Sequence, residues 1–447
     1  MPVSFETGSI PAIEECAIMS FRHRISVAIA AFLMTGTAVA AADWPAFRGP
    51  NGNGKTDAKN VPVEWSKDKN VKWLFELPAM GNSSPVVVGG KVFITCAEEK
   101  GKRRHLYCID RKTGKELWKQ TVEWDKPERM HGQNYHSPAT PAISGDRIVV
   151  WFGSAGLYCY DLGGKKLWDV NLGPATHVWG FGSSPVIHDG NVFLNFGPGK
   201  RQFLVALRLA DGKELWRLNE AGGSDSLKGR YIGSWSTPVI AKVEGKDQLL
   251  CSLPTRVVAC DPDSGKVLWE IAGIKGRRGD LFYTSPLVAN GVGVVMGGFG
   301  GPMVAFKLGG KGNVAKENIL WQTEKLQPQR IGSGIIVEDH VYVANADAGA
   351  AMCFELRTGK EKWRKQLGGG AHWGSLVLAE GRFYVTGQRG VTHVFKPNPE
   401  TFERIATNQL PGNSNSTPAV VDGEIFLRTS RGVYCVSIKN GKRKSEQ

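Results

Sequence analysis

No stretch of this chain is apolar for the ~20 residues that a bilayer-spanning helix requires. The nearest approach, Ile25 to Met34, is well short of that length. Neither C-x-x-C nor C-x-x-C-H occurs, so nothing supports a zinc ribbon or a c-type haem attachment. The chain also lacks a phosphate loop, a catalytic-triad signature and a paired-carboxylate motif. No segment keeps a helical period for long. Charged residues make up 22% and hydrophobic residues 41%, the balance of a soluble globular protein rather than a disordered one. The formal charge is +14. Many of the lysines stand singly in Gly-Lys turns (Lys115, Lys165, Lys213, Lys266, Lys360), so the excess reads as solvated turn charge and not as a nucleic-acid footprint.

Two residue types are abundant. Gly 56 and Trp 14 in 447 residues point to many short strands joined by tight turns and packed by large aromatic rings. The N-terminus reads as an export leader. Counting from Met19, Arg22 and Arg24 form a basic region, Ile25 to Met34 an apolar core, and Ala38-Val39-Ala40 a cleavage site. Glu6, Glu14 and Glu15 do not suit such a leader, which makes Met19 the expected start. No cysteine follows the cleavage region, so no lipid attachment is expected. These features predict a soluble periplasmic or secreted protein, most simply a monomer.

Laying the chain against itself reveals a repeat. Each copy runs from a Ser/Thr-Pro step through a β-branched run, a Gly turn, two more apolar runs and a Thr-Gly-Lys turn to Leu-Trp. The clearest copies are Ser83 to Trp118, Ser183 to Trp216 and Ser236 to Trp269. Counting the proline or its equivalent gives positions 85, 141, 185, 238, 286, 334, 376 and 418, about 42 to 56 residues apart, the scale of a propeller blade. The last copy stops after its Gly-Lys turn without a Leu-Trp strand. Val71 to Leu77 supplies one at the other end of the chain. The expected fold is all-β: an eight-bladed propeller of four-stranded antiparallel blades, its last blade closed by the N-terminal strand. The expected divisions are a leader over 1–40, an extension over 41–70, the ring over 71–440 and a tail over 441–447.

The segment C-x-D-x-x-T-G-K-x-x-W from Cys108 to Trp118 resembles the tryptophan-docking repeat of PQQ-type propellers, the quinoprotein alcohol dehydrogenase-like family. Ala206 to Trp216, Ala259 to Trp269 and Cys353 to Trp363 keep the same spacing. The likeness covers nearly all of 71–440. The opening Ala42 to Gly54 also resembles the mature start of secreted PQQ-like propeller proteins. In that frame Trp73, Trp118, Trp168, Trp216, Trp269, Trp321 and Trp363 form a structural girdle, each indole lying across the glycine turn of a neighbouring blade. Cys108, Cys159, Cys353 and Cys435 replace alanine in separate blades, too far apart to bridge. Cys96 with Cys108, and Cys251 with Cys260, either pair across strands of one blade or stay reduced.

The loop before each Ser/Thr-Pro step joins an outer strand to the next innermost strand, and so delivers side chains to one mouth of the channel. The expected ligand-binding residues there are His136, His177, Trp179, Trp235, Tyr283, Arg330, His372, Trp373 and Asn413; His131, Tyr135 and Asn415 share the same loops. Either these residues form a site or they plug a wide channel. The histidines lie on different blades without metal-ligand spacing, so no metal is expected. Two functional classes follow. One is a non-catalytic platform for an envelope protein, a peptide or a small molecule, with no cofactor and no nucleic acid; the outer-membrane barrel-assembly propeller is its analogue. The other, implied by the resemblance, is a PQQ- and calcium-dependent alcohol dehydrogenase of the polyvinyl alcohol type. That class usually has an adjacent Cys-Cys pair, which this chain lacks.

If the leader is read correctly, protein exported from its native host begins near Ala41 or Asp43. N-terminal sequencing checks this, and a detergent-extracted form retaining Met19 would contradict it.

Overall fold

In each repeat the apolar runs alternate with turns too short for anything but antiparallel neighbours, so each repeat folds onto itself as one sheet. The computed structural model describes residues 43–220, 224–227, 230–276, 279–323, 330–345 and 349–438; the expected leader and tail lie outside them. Eight four-stranded units follow one another. Their innermost strands are Val86–Val88, Ala142–Ser144, Val186–His188, Val239–Val243, Leu287–Ala289, Ile335–Val337, Val377–Ala379 and Ala419–Val421. These units are blades one to eight. The outer strand of blade eight is Val71–Glu76, antiparallel to Gly432–Ser437, so the strand expected to close the ring does so.

Closure is reinforced at that seam. Glu424 on blade eight pairs with Lys72 of the closing strand (2.6 Å) and with Arg111 of blade one (2.7 Å). Buried Arg428 donates from Nη1 to Ser83 Oγ (2.6 Å) and to the Thr95 carbonyl (2.9 Å) in blade one. Another seam buries an ion pair, Arg104 of blade one with Glu128 on the way to blade two (2.7 Å). Glu128 also accepts the Ser154 N–H (2.8 Å), so neither charge is buried unpaired.

The core is divided among the seams between blades. One cluster joins blades two and three through Val149, Trp151, Leu194 and Val205; another joins blades three and four through Phe193, Leu204, Leu249 and Val258. The outer tryptophans seal these seams. Trp73, Trp118, Trp168, Trp216 and Trp321 lie on Gly114, Gly164, Gly212, Gly265 and Gly359 of the next blade, so closely that a Cβ there would meet the indole within about 3 Å. All five glycines have positive φ. Each indole N–H donates to a carbonyl of the same turn, at 2.8 to 3.2 Å. Trp363 reaches the Asn398 carbonyl in the same way (2.9 Å), on a turn without glycine.

Trp269 departs from the expected girdle: its N–H goes to Gln248 Oε1 (2.8 Å) in its own blade. The cause is the insertion in blade five, whose short strand Gly312–Asn313 runs parallel to Trp269 and Glu270 and occupies the place of the docking turn. Opposite each tryptophan in the sheet stands a small residue, such as Cys108 for Trp118, Cys353 for Trp363 and Ala206 for Trp216, and a bulge follows the pair. This explains the cysteines. All seven described ones are buried and unpaired. Cys96 faces His105 and Cys108 faces Phe93, which sets the two cysteines apart along the strands; Cys251 and Cys260 are offset likewise.

The segment before the closing strand is part of the ring's structure. Trp44 pairs with Val87 of blade one, and the Pro45 carbonyl accepts Ile143 N–H of blade two (2.8 Å). Arg48, fully buried, donates to the Gly334 carbonyl of blade six (2.7 Å). Lys55–Thr56 then runs parallel to Leu378 and Ala379 of blade seven. The chain therefore crosses one end of the channel from side to side. Farther on, Trp65 stacks on Tyr384 in the blade seven–eight region, where the repeat has lost its own tryptophan. No described helix is long and apolar enough to cross a membrane.

Two imidazoles are buried between blades six and seven. Burial pushes His372 down to about 3 and lowers His393 as well. Both stay neutral when folded but take up protons near pH 6.5 when unfolded, so stability is full above that pH and falls as pH drops toward 3. We expect His372→Leu to flatten the decline of melting temperature between pH 6.5 and 4 relative to the parent protein. Trp216→Ala should cost about 3–5 kcal/mol in denaturant unfolding, the usual cost of truncating a packed aromatic.

Candidate functional site

The entry to each blade repeats one local arrangement. A Ser or Thr stands immediately before the Pro of the step, or before Gly334 and Leu376 in blades six and seven, and in seven of the eight steps its hydroxyl turns toward the neighbouring blade. The N–H of Ser84 donates to Thr140 Oγ1, Thr140 to Ser184, Ser184 to Thr237, Ser285 to Ser333, Ser333 to Ser375, Ser375 to Thr417, and Thr417 back to Ser84, all at 2.9 to 3.2 Å. Seven of the eight blade-to-blade steps are thus tied by one kind of bond. The collar surrounds a funnel of about 550 Å³ at the mouth opposite the crossing segment, and Phe47 of that segment lines its floor.

An extended chain turns alternate side chains to opposite faces. The residue two positions before each collar hydroxyl therefore faces the funnel with it. That position holds Asn82, Pro138, Gly182, Trp235, Tyr283, Ile331, Trp373 and Asn415, and all eight line the funnel. A side chain three positions before the collar turns the other way. His372 and Arg330 occupy such positions and are buried behind the wall. Burial pushes Arg330 down to about 9, helped by the nearby Arg364 charge.

Of the nine residues expected at the site, Trp179, Trp235, Tyr283 and Trp373 line the funnel. His177 is fully buried beneath this wall: its Nδ1 accepts the Trp179 N–H (3.1 Å), and its ring meets Trp179 and Trp235 edge-on at 5.2 and 4.9 Å. It positions the two tryptophans. His136 instead packs on Gly101 of blade one and faces the Glu128 carbonyl (3.4 Å). Asn413 is exposed and linked to Ser430 through its backbone (3.1 Å). The structure therefore does not bring His136, Arg330, His372 or Asn413 to the funnel surface.

Trp179 is the exception to the alternation. Gly182 leaves its wall position without a side chain; Trp235 lies over it, and Trp179 from farther up the loop fills the rim. Trp179 packs against Tyr231 (4.4 Å), Phe299 (5.4 Å) and Trp235 (5.8 Å). Tyr231 belongs to Arg230–Ser234, which forms with Ser224–Leu227 and Gly279–Phe282 a small sheet above the blades. Phe299 comes from the Gly297–Gly301 turn of blade five.

The opposite arc is built of amides. Gln388 donates to Asn415 Oδ1 (3.0 Å), and Asn415 to the Gln133 carbonyl (3.1 Å). Asn82 donates to that same carbonyl (2.8 Å), and Asn134 holds the carbonyls of Trp179 and Phe181 (2.7 and 2.8 Å). Sequence reasoning missed Asn82, Gln133, Asn134 and Gln388, although the two-before-the-hydroxyl rule would have found Asn82. The 22 described lining residues include no Asp, Glu, Lys or Arg, whereas the chain's overall 22% charge would place about five among them. An aromatic arc facing an amide arc, above a collar of hydroxyls and without fixed charge among the described residues, suits a neutral polar ligand with apolar faces.

Comparison with known proteins agrees with this architecture. The family described as outer membrane protein assembly factor BamB matches residues 55–193, 102–365 and 354–447. The outer membrane protein assembly factor BamB of Burkholderia pseudomallei is 23% identical over 396 residues, 85% of this chain and 92% of that protein. A polyvinylalcohol dehydrogenase of Pseudomonas sp is 26% identical over 238 residues, 44% of this chain and only 35% of the dehydrogenase. Among solved structures, the quinohemoprotein alcohol dehydrogenase of Comamonas testosteroni superposes with a TM-score of 0.63 at 13% identity, covering 92% of this chain and 83% of that one, a likeness of fold alone. With the family match running through the blades, the chain belongs to the BamB-like family of PQQ-type repeat propellers.

Proposed function

We propose that this chain is an exported, non-catalytic propeller that binds a ligand in its funnel. One observation carries the reading: among the described residues, no charged side chain lines the funnel, while one arc offers aromatic faces and the other amides. Such a surface binds and orients but offers little acid, base or nucleophile; among the described residues, His131 and Tyr283 are the titratable lining groups.

PQQ is a tricarboxylate whose quinone oxygens are polarised by a bound cation. Its carboxylates call for Arg or Lys, and a calcium ion calls for several oxygen ligands, carboxylates among them. Arg330 stands buried behind the wall, and no carboxylate lines the funnel among the described residues. These residues do not suit the group. The likeness to the assembly factor, which extends over 92% of that protein against 35% of the dehydrogenase, is in keeping with a platform. A partner of the assembly-factor kind would be an envelope protein or peptide.

Reconstitution with PQQ and Ca²⁺, followed by dye reduction against primary, secondary and polymeric alcohols, tests the reading. We expect no turnover. Saturable cofactor binding with turnover, lost in Trp179→Ala, would establish the dehydrogenase instead.

A further inference from the structure

The funnel has a floor. The segment from Trp44 to Thr56 crosses the channel from blade one to blade seven, and Phe47 presents its ring at the bottom of the cavity. A chain-like ligand cannot thread through such a cavity; it can only insert an end. The two ends of a peptide carry an ammonium and a carboxylate, and burying either without a partner is costly. The described wall offers neither charge a partner. The end of a neutral saccharide carries no charge.

The polar groups fit the same class. Seven of the eight collar hydroxyls accept a backbone N–H, yet no protein acceptor is found among the described residues for the O–H hydrogens of Ser84, Thr140 or Ser184. Gln388 spends its Nε2 on Asn415, and its Oε1 accepts no hydrogen bond among the described residues. The lining thus combines spare donors with a spare acceptor, the complement of a sugar's ring oxygens and hydroxyls. Opposite them, Trp373 and Trp235 offer apolar faces for the C–H side of a pyranose ring.

We infer that the funnel binds the terminus of a neutral carbohydrate, which rests on the funnel being the binding site. The test applies the full chain to an array of neutral glucans, xylans, mannans, galactans and N-acetylated oligosaccharides. Titration calorimetry of any hit follows, alongside its uronic-acid counterpart and an end-capped proline-rich peptide. We expect saturable binding of at least one neutral saccharide, at least tenfold weaker binding of the carboxylated form, and at least tenfold loss in Trp373→Ala and in Gln388→Ala, each with unchanged melting temperature. Equal binding of the uronic acid, or hits unaffected by both variants, would overturn the inference. Capture of the capped peptide alone, lost in Trp373→Ala, would overturn the carbohydrate assignment and leave the funnel as a site. Silence of array and peptide together would overturn both.

Discussion

One bond type, repeated around the channel, holds this architecture in register: the backbone N–H entering one blade donates to the Ser or Thr hydroxyl entering the next. A four-stranded blade cannot cover both of its faces, so the ring is stable only when each sheet lies against its neighbours. Apolar seams supply the attraction but specify position poorly. The collar supplies position, because a hydrogen bond near 3 Å fixes the height and rotation of adjacent blades more sharply than side-chain packing does. The Ser/Thr residue is needed for its oxygen. The proline that follows in six of the eight blades, which has no N–H to place, keeps the strand entry extended.

The collar also shapes the funnel chemically. Once the hydroxyl of each step accepts from the neighbouring blade, the alternation of an extended chain dictates which residues before it reach the cavity. Charge is kept elsewhere. Arg104 with Glu128, and Glu424 with Lys72 and Arg111, lie at seams between blades, while Arg48 and Arg428 are held by carbonyl and hydroxyl oxygens. In those places a buried cation ties two blades together; in the funnel it would select for anions. The protein carries a net charge of +14, yet the described residues of its cavity wall carry none.

Much of the fold was legible in the sequence, because a blade is a local pattern and its spacing repeats. The tryptophans, their glycine turns and the strand Val71–Glu76 all announce themselves by position within the repeat. What escaped was whatever belongs to no repeat: the channel-crossing segment around Arg48, the small sheet carrying Tyr231, and the diversion of Trp269 by the insertion before Trp321. The candidate site was half legible. Sequence told which loops reach the mouth, but residue type was a misleading guide to direction. His372 and Arg330 were chosen for their chemistry, although their odd spacing from the collar sends them into the wall. Asn82 was passed over, although its even spacing brings it to the cavity.

The crossing segment joins the fold to the function. Without it the channel would be a tube, and any extended polymer of suitable width could pass between the blades with its charged ends in solvent. With Trp44 paired to blade one, Arg48 bonded to blade six and Lys55 paired to blade seven, the same residues that brace the ring across its diameter also seal it. A cavity closed at one end, and uncharged among its described residues, discriminates by what a ligand's end looks like, not by what its length can reach. The end of a neutral saccharide brings its own hydroxyls and no charge, so its entry leaves no charge buried unpaired. Bracing and selectivity are therefore one structural fact.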